Sequence, residues 1–410
     1  MSDKPIIVKN ITIFCISYLL FTAPLFAQVY GWTQKASLPA PGRYGAVSFV
    51  IGNKAYVCSG TGNGVLNFQD MWAYDKLTDT WSQKANMPGT SRRRTNIEVV
   101  NGIAYMMGGV HWNGGAGNNT VLGDFWSYNP ATDSWTQKTN LPFGALGGAI
   151  SYTIDNKIYV GIGLDVNQNQ QNIWWMYEPA TDSWTQKTSF PGSTRIHGAS
   201  FRSKDRFFFG LGITTGSVLC DDLWLYTAST DTWIQKADFP GGGLYSPASF
   251  YVGDDGYVVG GYAGQLKKDV WQYNYNSDNW NWIGDFTGGY RDDLTGFTIA
   301  NTGYCGFGIS NITNFNTDLW EFTISVGVKE NNSVSVQFQV YPDPATEIIN
   351  IESNAIQQIE IFDISGKKLL SENYKNTRNI SLNVLNYPKG LYFIKVYTET
   401  GIKAAKFIKY

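Results

Sequence analysis

Four arginines stand at matched places along the 410-residue chain, Arg43, Arg92, Arg195 and Arg291, and the same count lands on Leu146 and Leu244. Two positions after each comes a different residue: Gly45, Arg94, Gly148, His197, Ser246 and Asp293. A guanidinium offers five donors in a fixed fork, which suits either a ligand's carboxylate and hydroxyls or the carbonyls of its own loop. The first use makes Arg43, Arg92, Arg94, Arg195, His197, Arg291 and Asp293 a partly cationic pocket for an acidic or polyhydroxylated ligand. The second makes the leading arginine of each set a scaffold clamp. The stretch "RRRTNIEVV" adds Glu98 on the parity of Arg92, Arg94 and Asn96, where the other copies carry Phe49, Tyr152, Phe201, Phe250 and Phe297. A carboxylate among aromatics needs a partner, and Arg94, two residues away, is the expected one. The pair is then a buried ion pair or, if the chain is an enzyme, Glu98 and Arg94 are its catalytic groups.

His111 and His197 are the only histidines, and no third ligand stands at metal spacing, so neither a metal nor a cofactor is expected. The repeated Asp70, Asp124, Asp222, Asp269 and Asp318 read as caps of local turns. His111 and Trp112, side by side in the longest variable loop, are further ligand-binding candidates, the tryptophan offering a ring face for stacking on a sugar. No nucleophile elbow, phosphate loop or HExxH motif is present.

These residues are positioned by a repeat. Seventeen residues link Arg43 to Gly60, Arg92 to Gly109, Leu146 to Gly163, Arg195 to Gly212, Leu244 to Gly261 and Arg291 to Gly308. "DMWAY", "DFWSY", "IWWMY", "DLWLY", "DVWQY" and "DLWEF" follow, and eleven residues later a second tryptophan, as in "WSQK" or "WTQK". Units of 47 to 54 residues with turn chemistry between short apolar runs hold four strands and no helix. The sixth unit lacks its trailing tryptophan, while an unpaired "WTQK" begins at Trp32, so the N-terminal strand is expected to close the ring. The reading is all-β: a six-bladed β-propeller closed by the N-terminal strand, with variable loops gathered on one face.

The units resemble Kelch repeats, with "GG" at 108 and 260 ahead of the spaced aromatic and tryptophan; the glycine and tryptophan signatures of WD40 repeats are absent. The resemblance covers roughly residues 30–325. After the linker "VGVKENNSV" the alternation "FQVYPDPATEIINIES", "IEIFDISGKKL" and "YPKGLYFIKV" implies a small antiparallel β-sandwich. It resembles the C-terminal sorting domain of the type IX secretion system of Bacteroidetes, with Asp343 where an asparagine is usual. That resemblance implies passage across the outer membrane through the secretion machinery and later removal of the domain. At the other end, Lys4 and Lys9, the apolar run Ile11–Phe26 and Ala27 read as a secretory signal peptide. The expected domains are therefore 1–27 signal peptide, 28–325 propeller, 326–335 linker and 336–410 sorting domain.

With 31 basic and 33 acidic side chains the net charge is −2, which disfavours a nucleic-acid partner. Cys58, Cys220 and Cys305 lack disulfide or zinc spacing and read as thiols. Two function classes stay open for this secreted or surface-exposed, anchor-free chain, expected to be a monomer. One is a non-catalytic propeller binding an extracellular glycan or surface protein; the other is a sugar-acting enzyme resembling the Kelch-type sialic acid mutarotases. A copper radical oxidase resembling galactose oxidase would need a tyrosine–cysteine crosslink and more ligands than the sequence aligns. An acid and arginines facing one pocket would favour the enzyme, and an open, aromatic-rimmed face would favour binding.

Overall fold

Six four-stranded antiparallel sheets follow one another along the chain, in a computed structural model that describes residues 27–62, 67–114, 117–203, 206–311, 313–327, 338–399 and 401–410. The expected signal peptide, apart from Ala27, and most of the linker lie outside the described residues. Two compact units emerge, one spanning Tyr30–Ile324 and one containing Ser325–Tyr410.

Each sheet is a blade. Blade one consists of Val47–Ile51, Lys54–Cys58, Met71–Asp75 and Thr80–Lys84, paired in that order. The second strands, such as "KAYVC" and "RFFFG", are apolar on both parities because both faces of a blade pack on neighbours. The outermost strands alternate, "TWSQK" burying only part of itself at the rim. The inner hairpins turn in two residues, as at Asn101–Gly102, Asp155–Asn156 and Ala300–Asn301, all with positive φ.

Blade six takes its outer strand from the other end of the chain. Its order is Thr295–Ile299, Thr302–Gly306, Leu319–Gly327 and then Ala27–Lys35. Trp32 is set among Phe286, Phe322 and Phe250, with ring centroids 4.8, 5.0 and 6.0 Å away. The closure expected from the missing tryptophan is present.

The "TDxW" turns hold neighbouring blades together. Asp79, Asp133, Asp231 and Asp278 sit at positive φ, and each accepts a hydrogen bond from a tyrosine hydroxyl five residues earlier, Tyr74, Tyr128, Tyr226 and Tyr273. The same carboxylates accept backbone N–H bonds from Ala36, Ala85, Thr188 and Ala237 of the adjacent blade, at 2.9 to 3.1 Å. Two residues on, Trp81, Trp135, Trp233 and Trp280 donate their indole N–H to the carbonyls of those same four residues. This explains why the motif recurs in register with "QK": turn and strand end form one inter-blade joint.

The second unit is built from Gln339–Tyr341, Ile348–Asp363, Lys368–Asn383, Gly390–Thr398 and Gly401–Lys409 around Ile349, Ile351, Ile359, Ile361, Ile394, Val396 and Phe407. Register shifts after Glu352 and Ile356 bend its two longest strands. These strands form one five-stranded antiparallel sheet, and hydrogen bonds from the Ala345 amide to the Ile408 carbonyl and from the Tyr410 amide to the Ala345 carbonyl, 2.7 and 2.9 Å, tie the segment after its first strand to its last.

Candidate functional site at the mouth of the ring

The leading arginines do not face the mouth. Arg43 and Arg92 are wholly buried, and Arg195 and Arg291 are 2% and 3% exposed. Each grips an aspartate with both terminal nitrogens: Arg43 holds Asp70 at 2.8 and 2.7 Å, Arg92 holds Asp124 at 2.6 and 2.7 Å, Arg291 holds Asp318 at 2.7 and 3.0 Å, and Arg195 pairs likewise with Asp222. One nitrogen of each also donates to a carbonyl sixteen residues on, Ser59, Gly108, Leu211 or Phe307. The aspartates accept in addition the indole N–H of Trp72, Trp126, Trp224 and Trp320.

The clamp reading of the leading arginines prevails here over the pocket reading, and one expectation changes. These four arginines are turned into the scaffold with their terminal donors taken, so they do not carry the ligand pocket. Asp70, Asp124, Asp222 and Asp318 are the other half of a clamp across the blade rather than caps of local turns. Blade three replaces both members with apolar residues, Leu146 and Ile173, and blade five retains Asp269 opposite Leu244.

Burial pushes the Asp70 and Asp124 carboxyls up, but Arg43, Arg92 and the tryptophan donors outweigh it and hold both below the ordinary carboxylate range. Asp133, Asp231 and Asp278 are likewise held low, against burial, by donors from the joints described above. A carboxyl whose pKa is depressed on folding contributes stability that is present above its unfolded value, about 3.9, and is lost as pH falls through the folded value. The clamps and joints are therefore expected to fail together below about pH 4. Urea midpoints of the propeller transition, measured from pH 7 to pH 3, should fall steeply in that range; a flat profile would remove these carboxylates as stabilisers.

The mouth itself is made by the next two residues of each unit. Gly45, Arg94, Gly148, His197, Ser246 and Asp293 all take left-handed backbone conformations, with φ of 62, 51, 57, 58, 53 and 49°. This bend turns their peptide groups along the circumference. Arg94 donates its amide to the Gly45 carbonyl, Gly148 to Arg94, Ser246 to His197 and Asp293 to Ser246, at 2.8 to 3.1 Å. Glycine meets the conformation with least strain, whereas a non-glycine residue there costs about 1 kcal/mol or more. Four blades nevertheless carry a polar side chain at this position.

The residues between clamp and ring form a second circle: Tyr44, Arg93, Gly147, Ile196, Tyr245 and Asp292. Each exchanges backbone hydrogen bonds with the strand-two end of its own blade, at Thr61, Val110, Leu164, Ile213, Tyr262 and Ile309. Within the inner circle lies a cavity of about 150 Å³, lined by Gly45, Arg94, Gly148, His197, Ser246 and Asp293 and by the residues that follow them.

The cavity's charges are balanced in part. Arg94 donates to Asp293 at 2.5 Å. Burial raises the Asp293 carboxyl, yet Arg94, through its charge and its hydrogen bond, pulls it below the ordinary range. Burial and the Arg94 charge drive His197 down to about 3, so its imidazole is neutral at physiological pH. Asp292 goes the other way: burial and the neighbouring Asp293 push it up to about 7 against the pull of Arg94. Arg93 donates to the Tyr44 hydroxyl at 3.1 Å and reaches Asn119 at 3.4 Å, with no carboxylate within ion-pair distance among the described residues.

Buried polar atoms without a protein partner concentrate here. Of ten such side-chain atoms among the described residues, five belong to the two circles: Arg93 Nε, Arg94 Nε, His197 Nδ1, Ser246 Oγ and Asp292 Oδ1. Buried polar groups are nearly always paired, so this concentration marks a place where water or a ligand completes the bonds.

The structure thus brings Arg94, His197 and Asp293 to one cavity. Glu98 does not join them. It accepts hydrogen bonds from Ser151 and Thr153 of blade three at 2.8 and 2.9 Å, and burial raises its carboxyl despite those donors. The expected Glu98–Arg94 pair fails because strand parity does not extend back to residue 94: the strand is Asn96–Val100, and the left-handed bend at Arg94 redirects its side chain into the mouth. His111 lies between blades one and two, its Nδ1 donating to the Ser91 carbonyl at 2.6 Å, apart from His197. Trp112 packs with the Arg93 guanidinium 5.3 Å from its ring. Arg93, Tyr44, Tyr245, Ser246 and Asp292 were not singled out beforehand as ligand contacts. Tabulating the column between clamp and ring across the six copies would have found most of them.

The fold and the tail now have counterparts among known proteins. A Kelch motif model matches residues 42–88 and 91–142, and a secretion system C-terminal sorting domain model matches residues 339–410. The chain is a Kelch-repeat propeller with a type IX sorting domain. The sorting tail marks this Kelch protein for export to the cell surface or for secretion. No helix among the described residues is long and apolar enough to cross a membrane. A Kelch-like protein of Aspergillus terreus, terF, is 35% identical over 98 residues, which is 22% of this chain and 20% of the relative. An N-acetylneuraminate epimerase of Pasteurella multocida is 31% identical over 143 residues, 35% of this chain and 36% of the relative; another from Shigella sonnei is 33% identical over 24% of this chain and 26% of the relative. The Kelch chain therefore spans between 20% and 36% of the length of these relatives. A solved structure described as "Structure of YjhT" covers 71% of this chain and 99% of its own at a TM-score of 0.61 and 17% identity, which shows a shared fold.

Proposed function

We propose that this exported propeller binds a saccharide at the mouth of its ring. The observation that carries the reading is the set of orphaned polar atoms around a cavity of about 150 Å³. A void of that size admits one six-membered ring. The hydroxyls of a pyranose supply both donors and acceptors, so they complement Arg94 Nε, Ser246 Oγ and a neutral imidazole of the cavity lining together. A protein partner, which needs roughly 800 Å² of surface on each side, makes no use of so narrow a recess.

Gly148 supplies the direct test. A Cβ there would lie 3.5 Å from the His197 ring, and asparagine tolerates left-handed φ, so Gly148→Asn fills the recess without removing a ligand contact. Calorimetric titration of the full chain with glucuronate, galacturonate, N-acetylneuraminate and neutral hexoses should find at least one ligand. The substitution should weaken it tenfold or more, with the melting temperature nearly kept. An unchanged affinity would eliminate the cavity.

A second reading, sugar mutarotation, is supported by His197 in the cavity lining, by Asp292 in the adjoining second circle and by the N-acetylneuraminate epimerases among the relatives. Ring opening of a cyclic sugar requires a proton delivered to the ring oxygen and one taken from the anomeric hydroxyl, and closure reverses both. A carboxyl with a pKa of about 7 and a neutral imidazole are suited to those roles. Anomer exchange of N-acetylneuraminate, followed by NMR, should then be accelerated by the protein and lost in Asp292→Asn while binding persists. Exchange at the uncatalysed rate would leave the protein a binder.

A further inference from the structure

The cavity holds one ring, but the surface around it is built for more. On blades six, one and two an arc runs from Phe315, stacked on Tyr44 at 5.7 Å and 20°, through the Arg93 guanidinium, 5.8 Å from the Tyr44 ring, to Trp112, 5.3 Å on its other side. On blades four and five a second arc runs from His197 to Tyr245 and Tyr262, with centroids 6.3 and 5.4 Å apart. In a six-bladed ring blade one stands opposite blade four and blade two opposite blade five, so the two arcs face each other across the cavity. Between them blade three places only glycines, Gly147 and Gly148, at the two matched loop positions. All these aromatic rings are half-buried, so part of each meets solvent.

Resting on the saccharide reading above, we propose that the natural ligand is an acidic polysaccharide, bound by a residue from within its chain. One uronic-acid ring drops into the cavity, and its neighbours lie on the two aromatic arcs. Aromatic faces stack on the apolar faces of sugars, and arcs on both sides suit a chain that continues in both directions. A site for a chain end or a free monosaccharide needs no such second side. The acidic character follows from Arg93. It lies beside the cavity with a buried Nε that has no partner and with no carboxylate within ion-pair distance among the described residues, whereas Arg94 is already neutralised by Asp293. A sugar carboxylate would supply the missing counter-charge through paired N–H donors.

The probe is a series of oligogalacturonides of one to six residues, titrated into the full-length protein, with neutral cello-oligosaccharides of the same lengths as controls. Affinity should rise at least tenfold between the monomer and the tetramer and then level off, and the acidic series should bind at least tenfold tighter than the neutral one. In Trp112→Ala and Tyr262→Ala the tetramer-to-monomer affinity ratio should collapse toward one, with Trp112→Phe restoring it, which separates lost stacking from lost folding. Equal affinity for monomer and tetramer would overturn the proposal and leave the saccharide site standing. Equal binding of acidic and neutral chains would overturn the acidic assignment. Failure of both series, together with failure of the monosaccharides, would remove the saccharide reading itself.

Discussion

Replacing Asp124 with alanine is expected to destabilise the propeller by about 3 to 5 kcal/mol, because it leaves the Arg92 guanidinium charged, buried and short of two acceptors. Arg92 is wholly buried, and its other donors are already committed to the Gly108, Thr90 and Pro88 carbonyls. Trp126 loses its acceptor in the same step. The protein contains its own control. Blade three fills the equivalent space with Leu146 and Ile173, so the double replacement Arg92→Leu with Asp124→Ile should recover most of the loss. A buried ion pair stabilises little relative to apolar residues of similar volume, while half of one is strongly destabilising. Urea titration of the propeller transition in the three variants decides this. A single mutant within about 1 kcal/mol of the parent would show that the clamp is not a structural pair.

Removing residues 29–38 should have a still larger effect. That segment is the outer strand of blade six, and without it the strand Leu319–Gly327 presents an unpaired edge to solvent. Exposed edges template pairing with other chains, so aggregation is expected together with loss of the cooperative melt. A milder version isolates the packing. Trp32→Ala removes the indole held among Phe250, Phe286 and Phe322 and should cost about 2 to 3 kcal/mol, less than a fully buried aromatic because the ring is partly exposed. Light scattering during a thermal ramp and the urea midpoint separate the two effects. A truncated chain that melts like the parent and stays monomeric would mean that the strand is dispensable for closure.

The repeat was legible because it is written in local chemistry. Glycines and alternating aromatics recur at matched positions in all six units and turn aspartates in five of them, and a four-stranded blade is the unit that such spacing builds. The displaced "WTQK" at Trp32 gave the closure for the same reason, as a missing part at one end and a spare at the other. The sorting domain too was read from short contiguous motifs. None of these inferences required knowing what lies across the ring.

The candidate site did. Which acceptor each buried arginine finds depends on strands brought together only in the folded blade, and the Arg–Asp clamps link residues 27 or 32 positions apart. Glu98 appeared paired with Arg94 because strand alternation was extended two residues past the start of the strand. The left-handed bend that breaks the alternation goes with hydrogen bonds between the loops of neighbouring blades, and no single loop encodes it. The same circle brings Arg94, His197 and Asp293 from blades two, four and six to one 150 Å³ recess. Repetition therefore determined the architecture from sequence alone, because its causes are local. The site rests on where the copies differ, and only closure of the ring decides which of those differences face one another.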